Sequence, residues 1–270
     1  MNCAEPEFKK AEQTVERIFT KIENIFSPPF TDHTAPEVLE LFQIAREIYQ
    51  HSNGSFDITV APLSEAWGFH SGEHMVPPPE TIKASLDYVG LDKIQIKNES
   101  LKVPEKTRLD WGGIAKGWGI DLAYRELKKM NIPSGFINAG GDLYCWGRNP
   151  EQKNWQVGVM HPRQKGFMGV LSITDTAAAT AGDYQRYFIK DGIRYHHIFD
   201  PSTGRPARGK KSVTVIGPQT AVCDGLATAL FVSQNPEKIL SRFPEYGAIV
   251  VLDNGDLIRM GRPYRFQPRK

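Results

Sequence analysis

Phe8, Ala11, Val15, Ile18, Phe19, Ile22 and Phe26 recur at steps of three and four with Lys, Glu and Arg between them, which predicts an amphipathic helix with one inward face. Pro28-Pro29 ends it, because proline has no amide to donate and disfavours helical geometry in the residue before it. A second helix is predicted from Pro36, with Val38, Leu41, Phe42, Ala45, Ile48 and Tyr49 inward and a left-handed stop at Asn53-Gly54. The stretch Ser55 to Phe69 is apolar but broken by Asp57, Pro62 and Gly68, and reads as strand and loop. A Gly- and Pro-bearing loop from His70 to Pro79 leads to a short helix, Glu80 to Tyr88, and then to a hairpin of Ile94 to Ile96 with Leu101 to Val103. Arg108 to Trp111 reads as a further strand that breaks at Gly112-Gly113 into a helix from Ile114 to Met130.

Beyond that helix the pattern becomes strand-like. Strands are predicted at Gly135 to Asn138, Leu143 to Trp146, Trp155 to Met160, Gly169 to Ile173, Tyr187 to Ile189, Arg194 to Phe199 and Ser212 to Ile216. A helix apolar on every side, Ala221 to Val232, must be buried, and a short one follows at Glu237 to Phe243. Ala248 to Leu252 and Asp256 to Met260 flank Asp253-Asn254-Gly255, a hairpin signal. With no repeat, low-complexity tract or linker in view, residues 1–270 are expected to form one compact α+β unit.

Composition narrows the function classes. The 33 basic and 31 acidic residues leave a net charge of +2, too balanced for a nucleic-acid footprint, so no nucleic-acid partner is expected. Cys3, Cys145 and Cys223 are odd in number and far apart, which argues against a disulfide framework or a zinc ribbon. No apolar run reaches the length of a membrane span, and the start, Met1 to Gln13, has no signal-peptide core. A cytoplasmic chain fits this pattern, while Cys3 near the start leaves open a truncated or lipid-anchored precursor.

Candidate chemistry sits in glycine-bearing loops at element ends, where backbone amides can approach a ligand. Asp110-Trp111-Gly112-Gly113-Ile114-Ala115-Lys116-Gly117 places a helix N-terminus and a lysine beside such a loop; an anion site and a tight strand-to-helix turn read it equally well, and it is not a Walker motif. Asn138-Ala139-Gly140-Gly141-Asp142 either approaches a ligand or bends the chain. Thr180-Ala181-Gly182-Asp183-Tyr184 follows Ala177-Ala178-Ala179, small side chains that leave room for something bulky and flat or pack a close sheet. His196 and His197 alternate along a strand that ends at Asp200-Pro201-Ser202-Thr203-Gly204, so only one can face a given pocket, as an acid-base candidate. Asp224 and Thr228, four apart, share one face of the apolar helix; two hard oxygens there suit Mg²⁺, and an ordinary satisfied Asp and Thr near a helix start suit the same spacing.

Taken in order from Gly54 to Met260, these segments resemble the ApbE-type FAD:protein FMN transferases. The resemblance is carried by Gly54 to Leu63 with Trp67-Gly68-Phe69, Asp110 to Gly117 with Asp121, Asn138 to Asp142, Thr180 to Tyr184, His197 to Gly204 with Pro206, and Ser212 to Val215 ahead of Asp224 to Thr228. It implies mixed, largely antiparallel sheets packed with helices, and Mg²⁺-dependent transfer of FMN from FAD to a Thr or Ser hydroxyl of an acceptor protein, releasing AMP. The acceptor it implies is a flavoprotein subunit, for example of a redox-driven ion pump, with a periplasmic or membrane-associated location. FAD hydrolysis to FMN and AMP, and flavin binding without turnover, are the alternatives.

By the same resemblance Asp224, Thr228 and the backbone oxygen of Gly113 hold Mg²⁺, and Lys116 holds phosphates. His197 deprotonates the hydroxyl. Trp67, Gly68, Phe69, Asp110, Asn138, Gly140, Gly141, Gly182 and Asp183 contact FAD. The family's first strand, with Met-Gly-Thr, has no counterpart before the first helix, and its Ser-x-Tyr segment is reduced to Phe26 to His33, with Pro29 at the aromatic position.

Overall fold

The computed structural model describes residues 5–27 and 34–269; Cys3, Pro28-Pro29 and most of the Phe26 to His33 segment lie outside them. Helix α1 spans Glu5–Phe26 and α2 Pro36–His51, as their stripes predict. Ala11, Ile22 and Phe26 are buried, but Phe8, placed on the inward face by its spacing, is 40% exposed because it sits at the outer end of the helix. Asn53 and Gly54 take positive φ, turning the chain into the next segment.

That segment corrects one expectation. Where strand and loop were predicted, residues Ala61–Ala66 form a short helix, α3, with Pro62 in its first turn, where no amide is needed. Helix α4 (Pro79–Leu86) packs against it, and a single 3₁₀ turn precedes the hairpin β1 (Gln95–Lys97) and β2 (Ser100–Lys102). Arg108 to Trp111 pairs with no strand; it is extended loop, tied by the Asp110 amide to the Ile58 carbonyl. Helix α5 follows at Ala115–Lys129.

The centre is a six-stranded antiparallel sheet built from β3 (Gly135–Ala139), β4 (Asp142–Trp146), β7 (Thr176–Gly182), β12 (Lys210–Gly217), β13 (Gly247–Leu252) and β14 (Leu257–Gly261), in the order β14-β13-β12-β7-β4-β3. Strands β5 (Trp155–Met160) and β6 (Phe167–Ile173) join β15 (Phe266–Pro268) in a second sheet. Leu143, Cys145, Ala178, Ile216 and Ile249 of the first sheet and Val157, Val159, Leu171 and Phe266 of the second share one hydrophobic core. The other face of the large sheet carries Ala177, Ala179, Val213 and Val215, and packs on the helices. Chief among these is α6 (Thr220–Val232), apolar all round because α2, α5 and the sheet enclose it; α7 (Pro236–Leu240) follows.

Strand β7 takes in the alanine run and the first residues of the glycine-bearing loop that the sequence places at Thr180 to Tyr184. Of the two readings of its alanine run, the close-packed sheet is the observed one: Ala177 and Ala179 are fully buried, and their size lets α6 lie close. Two further pairs lie beside α3, the hairpin β8 (Tyr187–Lys190) with β9 (Ile193–His196), and β10 (Phe199–Asp200) with β11 (Arg205–Pro206). The predicted strand Arg194 to Phe199 is thus interrupted at His197. Among the described residues no helix is long and apolar enough to cross a membrane.

Candidate active site

A cleft of about 370 Å³ opens where four segments meet: residues 55–60, the loop before α5, the start of β4 with the end of β7, and the base of the β8–β9 hairpin. One wall is α5 against α6. Asp121 on α5 accepts hydrogen bonds from the Thr220 and Ala221 amides at 2.8 Å each, satisfying two of the free donors at the start of α6. The helices touch at Gly117, where a Cβ would lie 2.5 Å from the Thr220 carbonyl oxygen, so no larger residue fits. This contact fixes the turn of α6 that carries Asp224 and Thr228, both of which line the cleft.

Charge is concentrated here. The Lys116 ammonium lies 2.9 Å from Asp142 Oδ2 and 3.3 Å from Asp224 Oδ2, bridging two buried acids. Burial works against that ammonium, yet Asp224 and Asp142 hold its pKa above the ordinary lysine value. Burial, and then the neighbouring Asp142 carboxylate, push Asp224 up to about 7, against Lys116 and the Gly117 amide. Across the loop, a Cβ on Gly113 would sit 3.4 Å from Thr228 Oγ1, so this glycine lies directly against the hydroxyl. Asp110 accepts the Gly112 amide at 2.8 Å, shaping the same loop.

The opposite wall belongs to the hairpin. His197 Nδ1 lies 3.2 Å from the Arg186 carbonyl oxygen, which can only accept, so Nδ1 carries the proton and Nε2 keeps its lone pair. Burial lowers the His197 pKa, against that hydrogen bond and with help from the Arg186 and Lys116 charges, which favours the neutral ring. Its neighbour His196 faces away, buried, with Nε2 2.8 Å from the Ala207 carbonyl.

The structure therefore brings Asp110, Gly113, Lys116, Gly140, His197, Asp224 and Thr228 to one cleft. Other predicted contacts lie off its walls. Trp67 is fully buried with its indole N–H on the Gly204 carbonyl; Gly68 turns at positive φ; Phe69 is buried and its carbonyl accepts the Arg186 guanidinium at 2.6 Å. These three stand behind the hairpin wall and brace it. Asn138 is exposed, and its Oδ1 takes the Gly141 amide at 3.1 Å, shaping the turn that presents Gly140. Asp183 is buried in a two-pronged pair with Arg163, and Gly182 is packed on the Tyr184 ring. Three charged lining residues carry no role in the sequence reading: Asp57 and Asp142, present there only as parts of their segments, and Arg186, whose place depends on a contact 117 positions away.

The family model for the ApbE family matches residues 10–249. The chain belongs to the ApbE family. It is similar to a FAD:protein FMN transferase of Vibrio cholerae, 34% identical over 217 residues covering 75% of this chain and 65% of that one. One from Rhodobacter capsulatus is 33% identical, with coverages of 82% and 44%. The chain thus spans about half to two thirds of the length of these curated relatives. Among solved structures, the ApbE protein of Thermotoga maritima superposes with a TM-score of 0.87 at 31% identity, covering 96% of this chain and 91% of its own. The flavin transferase ApbE of Vibrio cholerae gives 0.82 at 27%, covering 93% and 88%. These agree with the mixed, largely antiparallel architecture of this family member.

Proposed function

We propose that this cleft transfers the FMN half of FAD to a Thr or Ser hydroxyl of an acceptor protein, with Mg²⁺ and with release of AMP. One observation carries the reading: a histidine whose Nδ1 is engaged by a backbone carbonyl lines the same cleft as a lysine-bridged pair of acids and a helix hydroxyl. The names of the relatives support it, and extend to this chain as part of the proposal.

Among the described residues no three His, Cys, Asp or Glu side chains cluster for a metal, so a cation here would draw on mixed oxygens. Asp57, Asp110, Asp142 and Asp224 line the cleft against Lys116 and Arg186, an acidic surplus that would repel a pyrophosphate unless a cation joined it. Hard oxygens and surplus negative charge fit Mg²⁺, with Asp224, Thr228 and the Gly113 carbonyl as its holders. When bound, it supplies charge neutralisation at the phosphates.

The remaining chemistry belongs to the chain. Lys116 and Arg186 offset phosphate charge, and His197 Nε2 takes the proton of the incoming hydroxyl. The hydroxyl oxygen bonds to the FMN phosphorus as the bond to the AMP phosphate breaks, and AMP leaves with that electron pair. The test is chromatographic detection of AMP from FAD and Mg²⁺ with and without an acceptor domain. AMP that requires the acceptor supports transfer; AMP formed equally without it identifies a hydrolase instead. A redox-pump subunit as acceptor and a periplasmic or membrane-associated setting are proposed on the family resemblance alone.

A further inference from the structure

The β8–β9 hairpin ends in a two-residue turn, Asp191-Gly192, both at positive φ. In such a hairpin the closing residues Lys190 and Ile193 form a hydrogen-bonded pair, so the pairs alternate inward from there. Phe188 with Tyr195 and Arg186 with His197 are then bonded pairs, as the His197 amide to Arg186 carbonyl bond at 3.2 Å shows. Tyr187 and Ile189 are the unbonded positions, and their amides and carbonyls point away from β9.

No third strand joins this sheet among the described residues. On the β9 side the outward Arg194 carbonyl is taken by the Arg208 guanidinium at 2.8 Å. Among the described residues no such bond reaches the outward groups of β8; beside that edge Tyr187, under the Arg194 guanidinium, is 40% exposed and Ile189 is 61% exposed, the most exposed large hydrophobic residue described. An open apolar strand edge is a template for another strand.

The edge also leads into the cleft. Arg186, next to Tyr187, lines it, as does His197 across the pair. At about 3.3 Å per residue, Ile189 stands roughly 10 Å from Arg186, so a strand laid along β8 runs toward the free His197 nitrogen. The surroundings are basic: residues 185–208 hold Arg186, Lys190, Arg194, Arg205 and Arg208 against Asp191 and Asp200, a net +3 where the whole chain carries +2.

We propose that the outer edge of β8 docks an extended, acidic segment of the acceptor protein by strand addition, delivering its hydroxyl to His197. This rests on the transfer reading above, and names how the second substrate is held.

The probe is a 15N-labelled full chain titrated with a synthetic peptide carrying one threonine, alternating apolar residues and several aspartates, and with its lysine-for-aspartate counterpart. Slowed exchange of the Tyr187 and Ile189 amides with the acidic peptide only, and a tenfold or greater rise in its Kd in Ile189→Pro, are expected. Ile189→Pro removes an outward amide and leaves the hairpin bonds intact, and Ile189→Lys, which keeps the amide, should weaken binding less. Equal protection by both peptides, protection elsewhere, protection that grows with protein concentration alone, or an unchanged Kd in Ile189→Pro would overturn the proposal. FAD affinity, measured separately, should be the same in both variants; a wild-type chain that binds the peptide but not FAD would overturn the transfer reading and leave the edge standing.

Discussion

The two walls of the cleft are built by opposite means. The α5–α6 wall is held on every side: Asp121 caps α6, Gly117 lets the helices touch, and the sheet closes the far face. The hairpin wall is a two-stranded ribbon with one open edge, steadied by Arg186 on the Phe69 carbonyl and by ring contacts of Phe188 with Tyr195 and His74. The difference teaches a division of labour. Groups that hold charge, Asp224 and Lys116, sit on the enclosed wall, while His197, the base of the proposed transfer, is carried by the ribbon with the open edge.

The comparison is broken most severely from the rigid side. Asp224→Ala removes an acid from the charge cluster, and AMP formation from FAD should fall on the order of a thousandfold, with unfolding and circular dichroism little changed. Near-normal turnover would take Asp224 out of the chemistry.

Next is His196, the buried neighbour of His197. Burial pushes His196 down to about 4, while the unfolded chain titrates near 6.5. Between those values the unfolded state binds a proton that the folded state refuses, so stability is full above 6.5 and is lost as pH falls toward 4. The loss is about 3 kcal/mol. Urea midpoints at pH 7.5 and 4.5 should show it in the wild type and not in His196→Asn; equal slopes would contradict it.

On the hairpin side, His197→Gln should slow transfer about a hundredfold, the ordinary share of a general base, while FAD binding in a calorimeter is retained. The wild-type acid limb should fall below the usual histidine range, since the His197 pKa is lowered. The smallest expected effect is structural. Gly117→Ala forces a methyl against the Thr220 carbonyl and should cost about 2 kcal/mol, read as a drop in Tm with parallel loss of activity.

What was legible in the sequence follows from which forces are local. Helices α1, α2, α5 and α6 announce themselves because burial of one face, or of all faces, writes a period into the chain. Strand β7 does not, since alanine has no strand preference and its burial is imposed by α6 from 46 positions away. Helix α3 was missed because six residues are too few to show a period, and the tie between Asp110 and Ile58 that leaves Arg108 to Trp111 as loop is a distant contact. The cleft was legible where motif glycines and acids line it themselves, at Gly113, Gly140 and Asp224. It was not where a residue acts from behind, as Trp67 and Phe69 brace Arg186, or where a charge gains its place only by long-range pairing, as Asp142 does with Lys116.

The most direct measurement is the intact mass of an acceptor domain with a single reactive threonine after incubation with this chain, FAD and Mg²⁺. The account predicts a gain of one FMN phosphoryl unit, abolished by chelating the Mg²⁺ or by changing that threonine to alanine. An acceptor left at its original mass while AMP accumulates would contradict it.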